Sequence, residues 1–196
     1  MNPPRSPRRM NRFRQVLEHR QPDLTVVMEN IHDPHNVSAI FRTCDAVGVE
    51  RVELLYTIEP FPKIGKKSSS SANKWIERRR HTTVASCIDT LHAEGFRVYA
   101  TRIGPGTVPL YDADLTGKVA IVLGNEHRGV SEEAAAAADG LLSIPMMGMI
   151  ESLNVSVAAA VCLYESLRQR LAAGSYGTPS YPPEELERRL KEWLER

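Results

Sequence analysis

Short apolar runs alternate with helix-like patterns along most of the chain, and this alternation limits the possible folds more than any other feature. The runs predict buried strands at 24–28, 52–56, 96–101, 119–123 and 141–145, and the segment 75–80 is a candidate short strand. Patterns of helical period lie between them, at 36–47, 84–94, 131–138 and 154–172. We therefore expect an α/β domain with a mostly parallel sheet and helices on both faces. Ligands of such sheets bind beyond the carboxyl ends of the strands.

The two ends of the chain lie outside this alternation. Residues 1–22 hold six arginines and one acidic residue, and they predict a basic extension that is either a solvated arm or a binder of phosphate. Residues 23–174 contain the alternating domain. Residues 175–196 begin with a proline-bearing hinge and end in a charged amphipathic helix, which we interpret as a second extension.

Composition excludes several classes of protein. With 25 basic and 24 acidic side chains, the net charge of +1 does not by itself indicate nucleic acid. Cys44, Cys87 and Cys162 are widely spaced and lie in apolar patterns, so we expect reduced core thiols in a cytoplasmic protein. No apolar run approaches the roughly 20 residues of a membrane span, and no signal peptide is evident.

Three polar clusters each follow a predicted strand, and the first lies just after residue 28. Asn36 is placed to cap the next helix. Arg42, six residues later, is placed to reach a phosphate or a carboxylate. His32, Asp33 and His35 have the chemistry of metal ligands, but no second group has matching spacing, so we expect no metal.

The second cluster is 124–130, where glycines bracket Glu126 at the end of an apolar strand. Two interpretations remain open. Either the segment is a tight turn in which Glu126 caps the following helix, or its backbone forms the wall of a ligand site with Glu126 directed inward.

The third cluster, 144–161, breaks at Gly148 and then shows Glu151, Ser152 and Asn154 before an Ala/Val-rich helix. Ser152 and Asn154 are candidate caps of that helix. A strand end, a glycine bend and a helix start together also form a place to hold a small molecule.

The segment from 57 to 73 predicts a long polar loop, which in a compact domain is usually functional or mobile. Lys74, Trp75 and 78–80 then place cations beside an aromatic side chain. That mixture suits single-stranded or looped RNA, although charge alone favours a solvated basic face.

Together, in this order, the three clusters resemble the SpoU/TrmH family of RNA ribose 2′-O-methyltransferases in the SPOUT superfamily. The first motif of that family has an Asn and an Arg spaced as Asn36 and Arg42 are here. Its Gly-x-Glu-x-x-Gly motif is matched at 124–129, and its Ile-Pro-Met-x-Gly-Met…Ser-Leu-Asn-Val-Ser motif at 144–156. The resemblance covers about residues 24–172.

The resemblance implies a deep trefoil knot in the C-terminal part of the sheet, a homodimer and an S-adenosylmethionine cofactor. The residues that it implies for the cofactor are Thr101, Gly124, Ile144, Met149 and Leu153. Those implied for catalysis are Arg42, Asn36, Glu126, Ser152 and Asn154. As RNA-binding residues we expect Arg8, Arg9, Arg12, Lys74 and Arg168.

Among members of the family, those with short terminal additions such as these methylate guanosine 18 in the D-loop of tRNA, and that is the expected activity. Ribosomal RNA or the wobble nucleotide of tRNA are alternative targets of the same chemistry. A cofactor-free RNA-binding protein on the same fold is an alternative of another class. An unrelated nucleotide-binding enzyme is disfavoured because the chain lacks a phosphate-binding loop.

The family's mechanism assigns activation of the ribose hydroxyl to the residue at Arg42. Because a guanidinium keeps its proton at neutral pH, we favour Arg42 as a cation that binds the adjacent phosphate and stabilises the developing alkoxide. A role as base stays open. The chain departs from the family at Ser69–Ser71, where glycines are typical, and at Glu151, where Gln is common. Glu151 adds negative charge close to the expected phosphate-binding site, so its effect on RNA affinity is open.

Overall fold

A computed structural model of the chain describes residues 6–63 and 72–196. Within these ranges, seven strands form one sheet: β1 (Leu24–Glu29), β2 (Arg51–Leu55), β3 (Glu77–His81), β4 (Arg97–Thr101), β5 (Val108–Pro109), β6 (Val119–Leu123) and β7 (Gly140–Ser143). Their order is β3-β2-β1-β6-β4-β7-β5, and every neighbouring pair is parallel. The expected parallel α/β sheet is confirmed.

Helices cover both faces of this sheet, as expected. They are α1 (Pro7–Glu18), α2 (Pro34–Ala46), α3 (Val84–Ala93), α4 (Glu132–Ala137), α5 (Val155–Ala172) and α6 (Pro183–Glu195). Alternate side chains of a strand point to opposite faces. Val26 and Met28 of β1 therefore pack with α2 and α5, whereas Val27 between them packs with α3 and α4.

The structure differs from the sequence predictions at some element ends. The basic extension contains helix α1, which spans Pro7–Glu18; a short basic helix was expected over 10–20, and it begins earlier because proline suits the first turn of a helix. Strand β5 was not predicted, since two residues that include Pro109 carry no periodic pattern. Of the predicted loop 57–73, residues 64–71 lie outside the described part of the chain, as do Met1–Arg5 of the basic extension.

The two terminal helices pack against each other. Phe13 and Leu17 of α1 share a small core with Leu186, Leu190 and Trp193 of α6. Trp75, which precedes β3, completes this terminal core: its ring centroid lies 5.1 Å from that of Phe13 and 4.9 Å from that of Trp193. Helices α1 and α6, from opposite ends of the chain, therefore form one packed layer.

Two fully buried arginines connect these outer parts to the sheet. Arg20 donates to the Asp45 carboxylate and to the Val49 carbonyl, both at 2.7 Å, and its guanidinium lies 5.4 Å from the centre of the Trp193 ring. Arg170, at the end of α5, donates to Asp23 at 2.6 Å. Each guanidinium is buried while its carboxylate partner is about one third exposed, so loss of the carboxylate would leave a buried charge without its counter-ion.

The cysteines behave as expected from their pattern. Cys44, Cys87 and Cys162 are buried and unpaired. Burial raises the pKa of each thiol to about 12, which keeps all three in the unreactive protonated form. Across the described ranges, no helix is both long and apolar enough to cross a membrane.

Candidate active site

The polar clusters meet at the carboxyl edge of the sheet. Because β1, β4, β6 and β7 run parallel, the segments that follow them emerge on one side. There a cavity of about 630 Å³ is lined by residues that follow β4, β6 and β7 and by the first turn of α5. This is the location that the sequence predicts for a ligand.

The start of α2 is fixed by Asp33 rather than by Asn36. The Asp33 side chain accepts a hydrogen bond from the backbone N–H of His35 at 2.8 Å, and Pro34 occupies the first helical position. The expectation that Asn36 caps the helix is therefore wrong, because the proline moves the cap three residues towards the N-terminus. Asn36 lies inside the first turn, where its side chain is buried and free to bond elsewhere.

The freed Asn36 side chain joins the three clusters. Its Nδ2 donates to Oε1 of Glu126 at 2.9 Å, and its Oδ1 accepts from Nδ2 of Asn154 at 3.1 Å. Asn154 also caps α5, because its Oδ1 accepts from the backbone N–H of Ser156 at 2.8 Å. A continuous relay, Glu126–Asn36–Asn154, thus links the loops after β6, β1 and β7.

Glu126 is directed inward, and Ser131 caps α4 in its place. Besides Asn36, the Glu126 carboxylate accepts from the backbone N–H groups of His32 at 3.0 Å and Asp33 at 3.1 Å. Burial acts to raise the pKa of Glu126, but these hydrogen bonds outweigh it and hold that pKa below its usual range. The side chain therefore stays ionised and acts as a fixed hydrogen-bond acceptor rather than as a proton donor.

The loop that carries Glu126 is a tight hairpin. Asn125 and Gly129 exchange two backbone hydrogen bonds, at 3.0 and 2.8 Å, and Gly129 has φ +68°. A Cβ atom added at Gly124 would overlap the backbone of Gly129 and Val130. The glycines that bracket Glu126 are thus required by the turn itself.

Three polar residues that were not among the predicted site residues hold this hairpin. Glu29, the last residue of β1, accepts from the backbone N–H of Ser131 at 2.9 Å. Asn125 donates to the carbonyl of Asn30 at 2.7 Å. Asn30 has the left-handed φ of 48°, and its side chain accepts from the N–H of Thr57 at 3.0 Å. The available signal was a pair of polar residues that ends an otherwise apolar strand.

Four of the five residues expected at the cofactor lie around the cavity: Thr101, Gly124, Ile144 and Leu153. The Thr101 hydroxyl donates to the Val122 carbonyl at 2.9 Å, so it already has a partner within the sheet. The fifth, Met149, is 99% exposed and is not part of the cavity lining.

The remaining candidates occupy different surroundings. Ser152 lines the cavity and is exposed. Arg42 is exposed on α2, outside the cavity lining, and its side chain makes no hydrogen bond or ion pair within the described ranges. Asn36 thus contacts both Glu126 and Asn154, whereas Arg42 is connected to them only through helix α2.

The expected RNA-binding residues are all exposed. Arg8, Arg9 and Arg12 lie on α1, and Lys74 lies in a short 3₁₀ helix beside the terminal core. Arg168 is paired with Glu165 at 2.8 Å on α5. No cluster of three His, Cys, Asp or Glu side chains suited to a metal occurs among the residues that the structure describes.

Residues 23–164 match a family model described as the SpoU rRNA Methylase family, and the chain belongs to this family. A relative in Thermus thermophilus, tRNA (guanosine(18)-2'-O)-methyltransferase, is 46% identical over 190 residues, which are 97% of each chain.

Solved structures agree with this assignment. The TrmH/SpoU tRNA modifying enzyme of Aquifex aeolicus superposes with a TM-score of 0.89 and 39% identity over 95% of each chain. The SpoU methyltransferase AviRb of Streptomyces viridochromogenes, solved in complex with AdoMet, gives a TM-score of 0.69 and 26% identity. That match covers 80% of this chain and 64% of the AviRb chain.

We predict that Gly124→Ala lowers the free energy of unfolding by about 1–3 kcal/mol, because the hairpin backbone must shift to admit a methyl group. Urea denaturation measures the change. Gly148→Ala is the matched control, since a Cβ at Gly148 meets no other atom within 4 Å, and it should change stability by less than about 0.5 kcal/mol. Equal effects of the two substitutions would contradict the close approach at Gly124.

Proposed function

We propose that the chain transfers a methyl group from S-adenosylmethionine to the ribose 2′-hydroxyl of guanosine 18 in tRNA. The observation that carries this proposal is the relay Glu126–Asn36–Asn154, which brings the three family motifs together beside one cavity. The tRNA target is supported by the Thermus thermophilus relative, which matches this chain at almost full length on both sides.

The cavity fits S-adenosylmethionine. Its volume of about 630 Å³ lies within the range of small-molecule sites, about 300–1,000 Å³. Leu142, Ile144 and Leu153 supply apolar walls for a purine, and the glycine hairpin at 124–129 offers backbone groups for ribose and amino-acid oxygens. When bound, the cofactor supplies a methyl group on a sulfonium: the C–S bond breaks as the C–O bond to the ribose forms, and the electron pair stays on sulfur.

The residues of the relay position the groups that react. Glu126, held by two backbone N–H groups and by Asn36, fixes the start of α2 relative to the cavity. Asn154 fixes the start of α5 against Asn36. Burial raises the pKa of Tyr56, and the charge of Glu126 raises it further, so the phenol stays protonated and donates to the Ile31 carbonyl at 2.9 Å. Positioning of this kind dominates an in-line displacement.

Arg42 acts on the acceptor as a cation. Its guanidinium is exposed and unpaired within the described ranges, so it is free to bind the phosphate beside the target ribose. A positive charge there stabilises the alkoxide that develops as the hydroxyl proton leaves to phosphate or water.

Mapping of 2′-O-methyl groups in a tRNA transcript tests both the target and Arg42. Wild type should modify position 18. Arg42→Ala should lower the single-turnover rate by about 100-fold or more. Arg42→Lys should lower that rate less, because lysine keeps the positive charge but lacks the bidentate hydrogen-bond donors of the guanidinium.

The affinity for S-adenosylmethionine should be unchanged in both Arg42 variants, since Arg42 does not line the cavity. Arg188→Ala, an exposed arginine on α6, is the control. Full rate in both Arg42 variants would exclude Arg42 from the reaction. Methylation at the wobble nucleotide or in ribosomal RNA fragments would overturn the tRNA target instead.

The basic face of α1 is part of the tRNA-binding surface in this proposal. Arg8, Arg9 and Arg12 are exposed while Phe13 and Leu17 hold the helix in the terminal core. Changing the three arginines to glutamine should therefore leave the fold intact. In filter-binding experiments with tRNA, we predict that the plot of log association constant against log salt concentration has a slope about 2–3 units shallower for this triple variant than for wild type. Lys191→Gln, an exposed cation on α6, should leave the slope unchanged; an unaltered slope in the triple variant would contradict the role of α1.

A homodimer is proposed from the outer face of α5. Val157, Tyr164 and Leu171 are 47%, 53% and 56% exposed, and their spacing of seven residues places them along one line of the helix. Such an apolar stripe is self-complementary when two copies meet across a two-fold axis. The exposure of Arg42 is consistent with an active site close to that interface.

We predict that Tyr164→Glu combined with Leu171→Glu weakens self-association about 30-fold or more in sedimentation velocity. Wild type should sediment at twice the mass of one chain. Lys191→Glu, an exposed charge reversal on α6, should not change the sedimentation. A wild-type chain that sediments as a monomer would contradict the dimer.

The deep trefoil knot is likewise part of the proposal. Its support lies in the sheet order, in which β6 lies between β1 and β4 while β7 lies beyond β4. After β7 the chain returns through 144–154 to α5, which packs with α2 on the face of β1 and β6.

A further inference from the structure

The cavity has an unbalanced set of charges. Its lining includes three carboxylates, two guanidiniums and one imidazole: Glu126, Glu132, Glu151, Arg102, Arg128 and His127. Most of them already have partners within the chain. Arg102 forms a two-bonded pair with Glu132, the longer bond at 2.9 Å, and Arg128 binds Glu59 at 2.8 Å.

Glu151 differs from the other two carboxylates of the cavity. Glu126 is satisfied by three N–H donors and Glu132 by Arg102. Glu151 is exposed and makes no hydrogen bond or ion pair in the part of the chain that the structure describes. A carboxylate without a partner in a ligand cavity is complementary to a cationic ligand.

Glu151 shares the cavity lining with two members of the relay, Glu126 and Asn154. It precedes Asn154 by three residues and follows the bend at Gly148. It lines both the main cavity and a neighbouring groove of about 450 Å³. Apolar residues Ile144 and Leu153 lie in the same wall, which strengthens electrostatic attraction relative to open water.

We propose that Glu151 makes the cavity prefer S-adenosylmethionine to S-adenosylhomocysteine, the by-product of the reaction. The inference rests on the proposed function for the identity of the cofactor. The two molecules share the adenosine, the ammonium and the carboxylate, and they differ by one methyl group and by the positive charge on sulfur. An unpaired carboxylate attracts the sulfonium, and the attraction is lost once the methyl group has left.

Glu151 then assists exchange of the cofactor rather than the chemical step. A carboxylate near the sulfonium stabilises the ground state more than the transition state, where the positive charge on sulfur is already falling. Its benefit is faster escape from product inhibition. A glutamine, which is common at this position in the SpoU/TrmH family, carries no charge with which to attract the sulfonium.

Calorimetric titration of the full chain with each ligand separately tests the proposal. Glu151→Gln should weaken binding of S-adenosylmethionine about three- to five-fold, as for a partly exposed charge pair. Binding of S-adenosylhomocysteine should change less than about two-fold. Sinefungin, which carries an ammonium in place of the methylated sulfur, should follow S-adenosylmethionine. In wild type the preference should shrink as salt rises.

Glu133→Gln is the matched control, because Glu133 is an exposed glutamate of α4 outside the cavity lining, and it should leave the ratio of affinities unchanged. Equal weakening of both ligands in Glu151→Gln would overturn the proposal and assign Glu151 to the shared ammonium. An unchanged ratio with tight binding of both ligands would also overturn it, while leaving the proposed function intact. A wild-type chain that binds neither ligand would instead remove the proposed function.

Discussion

The carboxylate of Glu126 is the interaction on which the geometry of the site depends. It collects N–H donors from His32, Asp33 and Asn36, so one charged group fixes the loop after β1 and the first turn of α2. Without it, the side-chain N–H of the buried Asn36 would lose its partner, at a cost of about 1–3 kcal/mol. Asn36 also accepts a hydrogen bond from Asn154, which caps α5. The Glu126 carboxylate therefore also positions the start of α5, through Asn36.

Helix α2 is held at both ends, and this fixes Arg42 without touching it. The Glu126 network holds its first turn, while Asp45 in its last turn binds the buried Arg20. Arg20 in turn lies against Trp193 of the terminal core, so the basic helix α1 has a fixed position relative to α2. The guanidinium of Arg42, which has no partner within the described ranges, is left free to bind a ligand.

The fold class could be predicted from the sequence because strand and helix periods are local properties of the chain. The residues of the site could be nominated, but their contacts could not be derived from spacing. Asn36 and Glu126 are 90 positions apart, and Asn36 and Asn154 are 118 apart, so their meeting depends on strand order. The local pattern also favoured Asn36 as the helix cap, whereas Pro34 places the helix start at Asp33. The exposure of Met149 likewise depends on how 144–154 crosses the sheet edge.

A net charge of +1 conceals a separation of charge that suits two ligands of opposite sign. Exposed cations lie outside the cavity, on α1 and at Arg42, where a polyanion such as RNA would approach. Inside the cavity, guanidiniums are paired with carboxylates and Glu151 is left unpaired, which favours a cation. The cations that face RNA and the carboxylate that faces the cavity are therefore carried by different side chains. An RNA and a sulfonium cofactor can therefore share one site without competing for the same groups.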